Sequence, residues 1–300
     1  MKSRWIGSMS PLAVLALASC GAVDSPAVSG GATDGPAPRP TASTPLTPAA
    51  PNGVEQLDSK ALLSRSFAVY TQDATSVHAV TSRPAATREQ PAISVRVDRQ
   101  KTVQTPPHCD ARLDYGPGGK ARFGMGSGQM WATLDDTYWK NTGNGPGERG
   151  TQAAGHFTGQ AITAPYLSPD ALSFRTLTGP CQTLAAFRNH DTDYPDITTF
   201  TKRTPITLNG TRVIPVDITG DLDKAGARTV YVALTGKPYP VRIDYQDGSR
   251  TDFTDYDQPV TVNPPPTTRS VDPRTVADFL GVPHNTLWII SSQNPPQPGQ

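Results

Sequence analysis

The sequence predicts an α+β fold. An apolar stripe at helical spacing stands early in the chain, and the last third is a run of short strands with period-two alternation, punctuated by hairpin turns. Each strand carries one apolar face, so the strands should pair antiparallel and be covered on one side by helices.

The first residues prepare export. Lys2 and Arg4 precede an apolar run at 11–18, shorter than the roughly 20 apolar residues that cross a bilayer. Charged, apolar and cleavage regions in that order read as a signal peptide. Leu17-Ala18-Ser19-Cys20 resembles a bacterial lipobox, with small side chains before the cut and a thiol that a diacylglycerol can alkylate. Each buried lipid methylene adds about 0.8 kcal/mol, so two or three chains anchor stably where one does not. An ordinary signal peptide with a chance cysteine is the competing reading. The expectation is cleavage after residue 19, lipid on Cys20, and a place on the extracytoplasmic face of the cell membrane.

Residues 20–53 are Pro, Ala, Ser, Thr and Gly with almost no large apolar side chain. Such a stretch cannot bury enough surface to offset its ordering entropy and reads as a disordered tether. At about 30 residues it spans roughly 30 Å as a flexible coil.

Composition narrows the partners. With 27 Lys and Arg against 26 Asp and Glu, the net charge is +1 and the basic residues are scattered. Nothing points to nucleic acid. Abundant Ala, Thr, Pro, Gly, Asp and Arg with few Lys fits a high-GC genome. Of 3 cysteines, lipidation removes Cys20 and leaves Cys109 and Cys181. Outside the membrane these should pair, a long loop worth about 4 kcal/mol less any strain. Two free thiols or half a metal site is the alternative, without CxxC spacing or a nearby paired His.

The folded part begins near Val54. Leu57, Ala61, Leu62, Phe67, Ala68 and Ala74 place a helix over 56–75, with Asp58 as its cap. Ile93, Val95 and Val97 then alternate with Ser94, Arg96 and Asp98 as a half-buried strand. Residues 121–125 and 129–134 read as strands about a glycine-rich turn, and Asp135-Asp136 as the next turn, before Tyr138-Trp139. The region 142–180 is less legible, with short helices broken at Pro165 and Pro169. Residues 205–208 and 211–218 flank Asn209-Gly210, the strongest short hairpin signal. Ile214, Val216 and Ile218 share one face, as do Val230, Val232 and Leu234, and Val241, Ile243 and Tyr245. Asp247-Gly248 turns the chain into 251–253 and then 260–262. Beyond Pro266 lies a tail, 267–300, in which Val276, Phe279, Leu280 and Trp288-Ile289-Ile290 form either a short docking segment or loose chain.

These pieces, in this order, carry a family resemblance: a helix ending in Ala74-Thr75-Ser76-Val77-His78 and a strand; a Cys before a glycine-rich hairpin with Trp131, then Tyr138-Trp139-Lys140; a second Cys; and Gly236-Lys237-Pro238-Tyr239-Pro240 leading into Val241-Arg242-Ile243. Over 54–266 the chain resembles the actinobacterial lipoproteins of the LolA/LppX-like superfamily. The resemblance implies a strongly curved antiparallel sheet, an incomplete barrel, whose concave face is covered by helices. It also implies an apolar cavity between the layers that takes acyl chains of lipids or lipoproteins. Ile214, Val216, Val230, Val232, Ile243 and Trp131 are the residues expected to line it. The Gly- and Pro-rich stretch from Cys109 to Cys181 and the tail beyond Pro266 depart from the family pattern, and both bear on the cavity mouth.

Catalytic motifs fail on spacing. Asp221-Leu222-Asp223 starts like a calcium loop, but Val232 stands where the closing glutamate belongs. His190-Asp191-Thr192-Asp193 has no partner His or Cys at metal-ligand spacing. Gly124-Met125-Gly126-Ser127-Gly128 lacks nucleophile-elbow spacing, and His78 reads as a helix C-terminal cap. No enzyme activity, metal or cofactor is expected. The leading reading is a lipid or lipoprotein carrier; the other is a non-catalytic envelope interaction or sensory module with a filled core.

Overall fold

The structure, a computed structural model, describes residues 50–87, 90–98, 107–141, 148–174, 179–182, 199–220, 227–282 and 284. The signal peptide, Cys20, nearly all of the tether, the cluster at 190–196, the loop at 221–225 and the run at 288–290 lie outside the described residues.

The described chain begins with three hydrogen bonds to the segment 233–236. Gly236 N donates to Ala50 O (3.1 Å), Asn52 N to Leu234 O (3.1 Å) and Asn52 Nδ2 to Ala233 O (2.9 Å). Helix α1 (Ser59–Gln72) follows, capped by Asp58, whose carboxylate accepts from Ala61 N at 2.9 Å. Leu62, Leu63, Phe67, Val69 and Tyr70 form its buried face. The helix ends earlier than the stripe predicts. Thr75 leaves it because its amide and hydroxyl both donate to Asp257 Oδ1, at 2.8 and 3.2 Å. Ser76 therefore opens β1 (Ser76–Ser82), and His78 is a strand residue rather than a helix cap, its Nε2 3.0 Å from Ser94 Oγ.

Four antiparallel strands continue the meander: β2 (Ala92–Asp98), β3 (Cys109–Asp114), β4 (Lys120–Gly126) and β5 (Gln129–Leu134). Ser127 and Gly128, at φ 51 and 76, make the β4–β5 turn. Asp135 caps a helix instead of closing a turn, so Tyr138 and Trp139 lie buried on α2 (Asp136–Lys140). Helix α3 (Glu148–Phe157) and strand β6 (Ala161–Pro165) resolve the region that the sequence leaves ambiguous. Then come β7 (Thr199–Lys202), β8 (Ile206–Leu208), β9 (Thr211–Thr219), β10 (Ala227–Ala233), β11 (Pro240–Tyr245) and β12 (Arg250–Thr254). Asn209 and Gly210, at φ 48 and 80, give the left-handed pair that a tight hairpin needs.

After β12 the chain does not form the strand expected at 260–262. Pro259 and Pro264-Pro265-Pro266 offer no amide to a ladder, and the segment crosses the outer face as a strap. Ser76 Oγ donates to Gln258 O at 2.5 Å, and Val262 lies beside Gly126. The strap delivers β13 (Ser270–Val271) to β6 and then α4 (Pro273–Leu280), whose Val276, Ala277 and Leu280 join the core. Residues 270–280, read from sequence as tail, are thus built into the domain.

All strands belong to one 13-stranded sheet in the order β13-β6-β5-β4-β3-β2-β1-β12-β11-β10-β9-β7, with β8 also on β9. Among the described strands only the β13–β6 pair is parallel. The strand path is open, as an incomplete barrel requires, with β13 at one end and β7 at the other. This is the α+β architecture expected, a large and mostly antiparallel sheet with a few helices.

Cys109 on β3 is bonded to Cys181, 72 positions on, with Cα atoms 5.7 Å apart. The bond ties the turn Gly179–Gln182 to the sheet. Cys109→Ser, or reduction, should lower the unfolding free energy by about 2–5 kcal/mol, read as a lower urea midpoint. An unchanged midpoint would mean that the bond adds no stability.

Candidate functional site

Neighbouring strands in register put their paired residues on the same face. One inner row runs Val216–Val230–Ile243–Thr251–Thr81–Ile93–Leu113–Ala121–Leu134. Beside it, Ile214 pairs with Val232, and Phe253–Ala79–Val95–Ala111–Phe123–Ala132–Ile162 form a second row. The inner face is therefore almost wholly apolar from β9 to β6.

Ile214, Val216, Val230, Val232 and Ile243 all stand on this face and are 0–3 % exposed. They share one core with Leu62, Leu63 and Phe67 of α1. Trp131 does not join them. It pairs with Gly124 and Thr163, and its neighbours Met130 and Ala132 take the inner side. Its ring lies over Gly124 on the outer face, where a Cβ would sit 2.3 Å from it, and the Arg122 guanidinium is 5.0 Å from the ring centre. Period-two alternation sends odd and even positions to opposite faces; the glycine opposite Trp131 is the sequence signal for its side.

Helix α1 touches the sheet through apolar side chains and is fastened at both ends by polar ones. At the N-terminal end Lys202 Nζ donates to Glu55 O (3.0 Å) and Leu57 O (2.5 Å), and Lys202 N donates to Ser59 Oγ (3.2 Å). At the C-terminal end Asp257 receives Thr75, Lys237 Nζ (3.0 Å) and the Tyr239 hydroxyl (2.9 Å). The Tyr239 ring stacks on Tyr256 at 4.0 Å, and Tyr256 meets Tyr70 of α1 edge-on. Burial holds the Tyr70 and Tyr256 hydroxyls far above the usual tyrosine range, so both remain protonated at neutral pH. Midway along α1, the buried Ser66 Oγ has no hydrogen-bond partner among the described residues.

The other half of the layer is aromatic. Trp139 of α2 packs on Phe157 of α3 (5.4 Å), and Phe123 on Phe174 (6.0 Å). Among the described residues, no group of three or more His, Cys, Asp or Glu is placed to hold a metal ion.

No family model matches the chain, and no curated relative does. Solved structures with similar folds include LprF from Mycobacterium bovis, with 16 % identity and a TM-score of 0.44 over 69 % of this chain and 96 % of that one. Mycobacterium tuberculosis lipoprotein LppX gives 17 %, 0.38, 68 % and 97 %. A LolA superfamily protein from Nitrosomonas europaea gives 9 %, 0.21, 68 % and 94 %. At these identities and scores they are likenesses of architecture, and no function passes from them to this chain.

Burial pushes the Asp257 carboxyl up, but hydrogen bonds from the Thr75 amide, Lys237 and Tyr239 outweigh it and hold the group below the usual carboxylate range. Its stabilisation is complete above the unfolded-chain value of about 3.9 and is lost as pH falls through the lower folded value. Asp257→Asn should cost about 2 kcal/mol at pH 7, a deficit that closes in acid. Urea melts of both proteins at pH 7 and pH 3 measure it.

Proposed function

We propose that the chain is an extracytoplasmic lipoprotein, anchored to the cell membrane through lipid on Cys20, that binds acyl chains between α1 and the inner face of the sheet. The fastening of α1 carries the reading. The helix rests on an aliphatic strip through Leu62, Leu63 and Phe67, and its polar ties described above sit at its two ends. Release of one tie lets the helix rise as a rigid piece. The strip then exposed is Ile214, Val216, Val230, Val232 and Ile243. An acyl chain replaces the lost contacts at about 0.8 kcal/mol per buried methylene. The Ser66 hydroxyl, unpartnered among the described residues, offers a polar point on that side of the helix to a ligand ester or hydroxyl.

The aromatic surface on α3 and α4 favours a second reading, a non-catalytic docking module. Phe279 is 37 % exposed and stacks on His156 at 5.3 Å, an aromatic surface fit for a protein partner.

Two measurements test the anchor and the acyl-binding reading in turn. Replacing Cys20 by Ser should move the protein from the membrane fraction to the soluble one and abolish labelling by fatty acid; retention would refute the anchor. Native mass spectrometry of the unlipidated chain from residue 20, carrying Cys20→Ser, should reveal a discrete bound lipid. Val232→Trp, checked for folding by circular dichroism, should lose it. A protein that is empty and ignores added lipid would turn the assignment to the docking module.

A further inference from the structure

The inner row of the sheet is covered unequally. Helix α1 packs on β7, β10 and β11, and there Val216, Val230 and Ile243 are shut from solvent. Farther along the same row, across β1 to β5, a cavity of about 660 Å³ stands open. Its lining takes three consecutive residues from each strand, and the middle one is always the inner-row residue: Thr81, Ile93, Leu113, Ala121 and Leu134. The remaining wall is Thr158 and Gly159, which follow Phe157 of α3, itself part of the core. The cavity therefore lies on the inner side of the sheet.

Its shape sets what fits. Ser82 ends β1, Ala92 begins β2, Asp114 ends β3 and Lys120 begins β4, and all four stand along the cavity. The cavity is thus a slot along one rim of the sheet, with the exposed Lys120 at its edge. Five strands at about 4.8 Å make it roughly 20 Å long. Only one inner row lines it, and same-face rows lie about 7 Å apart. That width holds one hydrocarbon chain at carbon contact distances of about 4 Å from each wall, and not two side by side. Thr81 and Ile93, at the β1–β2 end, are only half-buried, so a chain laid there removes apolar surface from water without displacing a helix.

We propose that this rim slot is a ready-made site for a single-chain amphiphile, its chain laid over Ile93, Leu113 and Ala121 and its head at the polar rim, bound while α1 stays closed. The apolar row is then used in two ways: the stretch under α1 opens only when a tie is released, and the stretch under β1 to β5 is open already. The slot needs no movement of α1, so it and the acyl-binding layer proposed above stand or fall separately.

The test uses the chain from residue 20 with Cys20→Ser, titrated calorimetrically with laurate and, in parallel, with dioctanoyl phosphatidylglycerol, a soluble lipid with two chains. Laurate should bind one to one, and each methylene removed from it should weaken binding about fourfold. Ala121→Phe, in the middle of the slot, and Thr158→Trp, on its exposed wall, should each weaken laurate about tenfold or more by filling the space. Val232→Trp, in the α1 layer, should leave laurate binding unchanged, and the two-chain lipid should be indifferent to Thr158→Trp. Circular dichroism checks the fold of each variant, and the exposed Thr158 keeps the test decisive if Ala121→Phe fails to fold. Laurate lost in Val232→Trp but kept in Thr158→Trp would put the chain under α1, overturning the slot and leaving the acyl-binding reading in place. A two-chain lipid weakened by Thr158→Trp as strongly as laurate would overturn the single-chain assignment. A protein that ignores laurate would overturn the proposal and leave the slot to another occupant, such as a second copy of the chain.

Discussion

Register across the sheet is the constraint on which the molecule depends. The inner row that begins at Val216 and ends at Leu134 crosses nine strands without changing face. A slip of one residue in any strand would send its valines to water and its arginines or aspartates into the core. The hairpins fix the register locally, through Asn209-Gly210 and Ser127-Gly128. The bulges of β10 against β11, at Ala227/Thr229 and Tyr231/Val232, let the ladder twist without losing the row.

The same constraint gives the sheet two unlike surfaces. Toward α1 it offers branched aliphatics in an unbroken strip. Away from α1 it offers charge, with Arg242 on Asp252 at 2.6 Å and Arg203 on Asp217 at 2.6 Å among its pairs. The strap from β12 to β13 adds a cover over part of the outer face, and α4 closes against α3, where Arg149 Nη1 donates to Leu280 O at 3.0 Å.

Much of this was legible in the residues. The hairpin glycines, the alternation of Ile93, Val95 and Val97, and the Asp58 cap are local signals, and the chain obeys them. The misreadings come from contacts distant in sequence. Nothing near Thr75 announces that Asp257 will draw it out of the helix. Residues 260–262 alternate like a strand, but flanking prolines deny them a ladder. Residues 161–165 could not be told from helix because five residues are too few to separate the two periods. Val276 and Leu280 read as tail because the strap that returns them to β6 leaves no periodic trace. Period two puts Ile214, Val216, Val230, Val232 and Ile243 on one face, and the parity of Trp131 puts it on the other.

The three hydrogen bonds at Ala50 and Asn52 bear on mechanics. On the anchor proposed above, a pull at Cys20 would arrive along the segment that precedes Ala50. That load reaches the domain at Leu234 and Gly236, beside the β10–β11 connection, before it reaches Ser59. The clamp works as strain relief: α1 lies directly after it in the chain yet is shielded from tension. Opening of the helix layer is then left to whatever binds there.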